Sequence, residues 1–217
     1  LTGNNIKILN PTGSILTALS RGEGTGDFAG ILKVNPDRTG KVALHGDILV
    51  TKRDDSDAVS YGRGGYVNLY LKGAESYFAG GITDLDGKAL HQRGGVRLEL
   101  SDGATWYPKA DSYTLAAPNA LGQTRSGSTW SPDSNKPLGF HLAANGGAIN
   151  MAFAAPTTPR AAAAGGRTLT FTNTGASLNG ATFRISTDLT NGIADKVILN
   201  GVSSNNHYHL QVAYDPG

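Results

Sequence analysis

Two histidines come nearest to metal chemistry. His207 and His209 lie two apart in HYHLQVAY, and on a strand that spacing projects both imidazoles from one face, where they can reach one cation. A third ligand is missing nearby, so a surface or rung-packing role is the better reading. Asp84-x-Asp86-Gly87 opens like a calcium loop but lacks the later bidentate Glu, and a turn accounts for it. Asp54, Asp55 and Asp57, with Asp47 upstream, are the carboxylates a glycan-cleaving enzyme would need in convergent pairs. Flanked by Lys52, Arg53 and Arg63, they read as solvated charges unless the fold gathers them beside a cleft. The serines lack His-Asp company and a strand-to-helix elbow. Gly62-Arg63-Gly64-Gly65 lacks the Lys and the following helix of a phosphate cradle. Cys is absent, which excludes thiol catalysis, disulfides and Cys-based zinc sites. The expectation is therefore no catalytic residue, no metal ligand, no cofactor and no enzyme.

Such side chains need elements to hold them, and composition says which. Among 217 residues Gly is 30 and Pro 9, so the chain turns often. Aromatics are only 7%, so the core is built from small and aliphatic residues. Charged residues are 17%, too few for long exposed helices laced by ion pairs or for a disordered polyampholyte. The net charge is +2 with scattered basic residues, which argues against nucleic acid, since that partner needs a concentrated basic stripe. No run approaches the roughly 18 apolar residues that span a bilayer, so a membrane span is not expected. A start at Leu1, with neither Met nor a signal peptide, suggests an excised or processed piece.

Short runs with period-two alternation recur along the whole chain, and helical spacing is nowhere sustained. Val67, Leu69 and Leu71 alternate with Asn68, Tyr70 and Lys72; Val96, Leu98 and Leu100 with Arg97, Glu99 and Ser101; Phe183 and Ile185 with Arg184 and Ser186. Turn formers separate the runs, among them Asn10-Pro11-Thr12-Gly13 and His45-Gly46-Asp47. An all-β fold follows. Two polar stretches, Lys52–Gly65 and Pro118–Pro137, read as protruding loops, and Arg53, Tyr61, Arg63, Arg125 and Trp130 are their candidate contact residues. Pro156–Gly166 reads as a mobile connection with Arg160 exposed to proteases. Gly73-Ala74, Gly103-Ala104, Gly175-Ala176 and Gly180-Ala181 follow polar strand ends, and inward triplets recur every 20–35 residues or so, a period suited to solenoid coils. A β-sandwich also gives regular short strands, so periodicity leaves both open.

A resemblance separates them. In ATFRISTDLTNGIADKVILNG followed by SSNNHYHLQVAYDPG, a strand carrying Arg-x-x-x-Asp-Leu leads through a Gly turn to Asp-Lys and a second apolar strand. Phe183, Arg184, Asp188, Leu189, Gly192, Asp195, Lys196, Gly201, His209, Leu210 and Val212 carry a pattern that resembles the C-terminal end of pertactin-type autotransporter passenger domains. Leu98–Trp106, LELSDGATW, resembles the strand-turn-Trp segment before it, with Trp106 packed at a corner. The chain departs at Ala194, where the pattern has Gln, and its first ninety or so residues share only the general style.

The resemblance implies a right-handed parallel β-helix with a C-terminal β-hairpin-type cap. The expected division is coils over 1–155, a connection over 156–166 and a capping, autochaperone-like unit over 167–217. It further implies a C-terminal passenger piece of a type V secreted adhesin or virulence factor, displayed on the bacterial surface after passing the periplasm. Its partner would be its own C-terminal outer-membrane β-barrel, which this sequence does not include. The end unit is expected to seal the last coil and to nucleate folding during translocation. Two alternatives stand beside this: an adhesin module contacting a host protein or glycan, and a β-helix carbohydrate-active enzyme built on Asp47, Asp54, Asp55 and Asp57.

Overall fold

The computed structural model describes residues 1–18, 30–50, 64–84, 94–117, 119–160, 166–172, 178–201 and 206–215. The fold is all-β, and no helix occurs among the described residues. The candidate contact residues Arg53, Tyr61 and Arg63, with Asp54, Asp55, Asp57, Asp86 and Gly87, lie outside them.

Three parallel ladders carry the core. The first contains β1 (Asn5–Ala18), β3 (Lys41–Val50), β5 (Tyr77–Gly80) with β6 (Ile82–Asp84), β8 (Thr105–Pro108), β13 (Ala148–Asn150), β17 (Thr182–Asp188) and β20 (His209–Asp215). The second contains β2 (Ile31–Val34), β4 (Tyr66–Lys72), β7 (Gly95–Ser101) and β12 (Gly139–Ala143). The third contains β9 (Ser112–Thr114), β16 (Thr168–Thr172) and β19 (Lys196–Leu199). Each ladder is crossed in chain order, so the chain visits one, leaves for another and returns one rung further on. The sheets are mixed, because β17 also pairs antiparallel with β18 (Ile193–Ala194). Antiparallel pairs also join β10 (Leu121–Ser126) to β11 (Thr129–Pro137), and β14 (Phe153–Ala155) to β15 (Thr158–Pro159).

Register converts the period-two pattern into columns. Val67, Val96 and Phe140 are successive partners in the second ladder, as are Leu69, Leu98 and Leu142, and all six are buried. In the first ladder Ile8, Leu44, Phe78, Trp106, Ile149, Phe183 and Leu210 form one column, buried from Leu44 to Phe183. Burying such a side chain contributes roughly 1.5–3 kcal/mol. The columns merge into one core. At one corner Gly73, Gly103 and Gly180 share a left-handed φ of 75–86°. Backbone bonds stack these turns, from Gly73 N–H to the Ser101 carbonyl and from Gly103 N–H to the Gly146 carbonyl. Three of the four Gly-Ala pairs thus mark one recurrent turn, and Gly175-Ala176 lies outside the described residues.

Several local expectations change. Asn10-Pro11-Thr12-Gly13 does not end a strand: β1 runs through it, absorbing the extra residues as register shifts between Leu9 and Leu16. Pro118–Pro137 is not an extended loop but largely the β10–β11 hairpin, turning at Gly127 with φ 60°. It shows no apolar alternation because neither face enters the main core. The segment after Pro156 begins with β15, and Arg160 is half-buried, its guanidinium donating to the Phe153 carbonyl at 2.9 Å and to that of Pro108. It is not an exposed protease site. Residues 161–165 lie outside the described residues.

Candidate functional site

The motif residues of the terminal unit fall into three groups, and the first is a fastening around Asp195. This half-buried carboxylate sits between β18 and β19. Its Oδ1 accepts the Arg167 N–H at 2.9 Å, and its Oδ2 accepts both the N–H and the hydroxyl of Ser186 at 2.9 Å. One side chain therefore ties the segment entering β16 to the middle of β17. A charged acceptor suits the task because such bonds are stronger than neutral ones. Beside it, Gly166 has φ 81° and comes so close to Ala194 that a Cβ would overlap the Ala194 carbonyl. Ala194 acts here through its backbone, which gives a physical reason why its side chain can differ from Gln. Lys196 is exposed and contributes its N–H to the Arg167 carbonyl at 2.7 Å.

The second group forms the β17–β18 turn. Asp188 accepts the Asn191 N–H at 3.0 Å and the Asn191 amide at 2.6 Å, and these bonds hold its exposed carboxyl below the usual range. Gly192 supplies φ 66°, which L-residues adopt only with strain. Leu189, 69% exposed, rides on this turn, and Gly201, with φ 77°, turns the chain after β19. Arg184 faces outward and its Nε donates to the Gln211 side-chain oxygen at 2.8 Å, a cross-rung bond between β17 and β20.

The third group is an aromatic cluster inside the core. Trp106 is fully buried and its Nε1–H donates to the Gly80 carbonyl at 3.2 Å. Around it stand Phe78, Tyr113, Phe140 and Phe171, with ring centroids 4.8–6.4 Å away. Contacts continue from Phe171 to Phe183 and from Phe183 to Tyr208. These rings link all three ladders and run from β5 into the terminal unit. Burial pushes the Tyr113 hydroxyl up to about 12, although it accepts the Ala110 N–H at 3.1 Å.

Arg167 was not singled out by the sequence reading. Its side chain is 12% exposed, its Nη2 donates to the carbonyls of Pro108, Lys109 and Ala110, and its Nε pairs with Asp111. It thereby clamps the terminal unit to the turn after Trp106. The available signal was a lone Arg at the head of an alternating strand, which many strands share.

β20 is the last strand of the first ladder among the described residues. Leu210 and Val212 continue the columns of Phe183 and Ile185, yet they are 62% and 55% exposed. His207 and His209 are both exposed, and His207 precedes β20 instead of lying on it.

Among the remaining expected residues, Trp130 is 37% exposed on β11 and pairs across the hairpin with Arg125 of β10. The hairpin is held at its base by His141, whose Nε2 lies 3.0 Å from the Ala120 carbonyl and 3.2 Å from that of Leu138. Two acceptors require the proton on Nε2. Burial holds the His141 pKa below its ordinary value. Asp47 is paired with Lys109 Nζ at 2.7 Å and accepts the Gly81 N–H at 2.8 Å, so each of its oxygens holds one partner.

Compared with protein-family models, with curated proteins and with solved structures, the chain matches none.

Proposed function

We propose that the chain is a right-handed parallel β-helix forming the C-terminal passenger part of a type V secreted bacterial surface protein, with residues 167–217 organising its folding. In this reading the passenger crosses the outer membrane with the help of its own C-terminal β-barrel and stands at the cell surface as a stalk or adhesin. The observation that carries the proposal is the coupling of the terminal unit to what precedes it. Asp195 and Ser186 fix β16, β17 and β19 to one another, Arg167 grips the turn after Trp106, and the aromatic cluster continues from Phe183 to Phe78.

A stack of strands has an intrinsic difficulty at its ends, where an unpaired edge and an open core layer invite slippage. A unit fastened by its own side chains can form first and offer β17 as a template to Ala148–Asn150 of β13. Each further rung then adds buried apolar area, and that free energy opposes backsliding without nucleotide hydrolysis. A carbohydrate-cleaving role draws less support, since Asp47 is neutralised by Lys109.

The test is deletion of Arg167–Gly217 from the intact secreted protein. Loss of surface display, with the remaining rungs open to protease, is the expected result. Normal display of the deletion would overturn the proposal.

A further inference from the structure

The outer face of the first ladder carries a groove whose floor is made of backbone. Along one outward row the residues read His45, Ala79, Tyr107; Ala79 and Tyr107 are buried against Ala155, and all three of the row line the groove. Beside the row lie Gly46 and Gly80, and neither position admits a side chain. A Cβ on Gly80 would overlap the Gly46 carbonyl, and one on Gly46 would meet the Gly13 carbonyl at 2.7 Å. The groove measures about 170 Å³, and Pro11 is among its lining residues. Ligand pockets for drug-sized molecules hold roughly 300–1,000 Å³, so this one has room for a single ring-sized group.

Its polar groups are arranged, not scattered. Asp47 is fixed on one wall by the Gly81 N–H and by Lys109. Arg160 is brought to the other side by the β14–β15 hairpin and is anchored on the Phe153 and Pro108 carbonyls. Burial, and after it the neighbouring Arg167 guanidinium, lower the Arg160 pKa, while Asp111 and Asp195 act the other way. Tyr107, itself buried, lines the groove. Two cations against one carboxylate favour an anionic ligand. A bare anion, however, would be repelled by Asp47, whose remaining lone pairs suit hydroxyl donors.

We infer that this groove binds one carboxylate-bearing sugar unit of an acidic glycan, of the uronic-acid class. The sugar carboxylate lies on Arg160 and Lys109, and ring hydroxyls donate to Asp47 and meet His45. Arginine is well suited to carboxylates through paired N–H donors. The inference does not depend on the folding role of residues 167–217, and either can fail alone.

The experiment is titration of the whole chain, followed by NMR shifts or calorimetry, with glucuronate, glucose, acetate and glycine as probes. Glucuronate is expected to bind in the millimolar range, about tenfold more tightly than the other three. Lys109→Met alters a side chain that is 59% exposed, so the fold is retained, and should weaken glucuronate about tenfold without creating glucose binding. Asp47→Asn keeps an acceptor for Gly81 and should weaken glucuronate while strengthening acetate. Equal binding of acetate would mean a plain anion site, equal binding of glycine a zwitterion site, and equal binding of glucose a neutral one. Any of these, no glucuronate binding, or unchanged affinity in both variants would overturn the inference.

Discussion

Replacing Asp195 by Ala removes one carboxylate and strands three donors: the N–H groups of Arg167 and Ser186 and the Ser186 hydroxyl. A hydrogen bond to a charged group is worth about 1.5–3 kcal/mol when fully buried. Asp195 is half-buried, so water competes and about 1 kcal/mol per bond is the fitting figure. The expected loss is therefore about 3 kcal/mol, a large share of the roughly 5–15 kcal/mol that holds a domain together. Asp195→Asn should lose about half of that, because its amide oxygen serves one side, either the Ser186 pair or the Arg167 N–H, and an NH2 faces the other. Stacked-strand proteins can unfold in parts, so a single midpoint is not enough. Native-state hydrogen exchange resolved by peptide is the suitable assay, with urea unfolding alongside it. Protection should fall first in β16, β17 and β19, then in β13 and β8, through Arg184 O accepting the Met151 N–H and through the aromatic cluster. A loss under about 0.5 kcal/mol with unchanged protection in β17 would refute the reasoning, since surface changes commonly fall within that range.

Four further outcomes follow from the same geometry. Trp106→Ala should cost roughly 3–5 kcal/mol by leaving a cavity among four rings and orphaning the Gly80 carbonyl, measurable by urea unfolding followed by circular dichroism. Gly73→Ala, which meets no atom but keeps φ 83°, should cost about 1–2 kcal/mol, whereas Gly80→Ala should prevent folding or cost well over that; thermal melts compare the two. Because the folded-state pKa of Tyr113 is raised to about 12 from 10.0, its contribution is complete below about pH 10 and is lost as pH rises toward 12. Alkaline titration of stability should show this, and Tyr113→Phe should flatten it. His141→Leu should deprive the Leu138 carbonyl of its ring donor, leave the Ala120 carbonyl with the Leu138 N–H alone, and speed exchange in β10 and β11 while leaving β4 protected.

Much of the fold could be read before any coordinates, because inward residues of these strands face one common core. Alternation at Val67–Leu71 and Val96–Leu100 gave both the strands and the buried face. Pairing partners were not legible, since period two says which side is inward but not which strand lies alongside. The polar β10–β11 hairpin escaped for the opposite reason: with no buried face it carries no alternation, and its anchors are His141 and the stem of the buried Lys136, both remote from its turn. Of the candidate site, Phe183 and Gly192 announced their roles by type. Asp195 was visible as part of a motif but not as an acceptor for Ser186, a partner fixed only once β17 and β18 turn back on each other. Arg167 gave no local cue, because its carbonyl partners belong to a turn far earlier in the chain.

The ladders count rungs and not residues. Gly95 and Gly139 are direct neighbours although an entire hairpin separates them in the chain, whereas Tyr66 and Gly95 are neighbours across a much shorter connection. An excursion that leaves from Ala120 and comes back at Leu138 can therefore differ in length while Gly139 stays paired with Gly95. Evolution, or an engineer, could vary that excursion while Gly95 and Gly139 stay side by side.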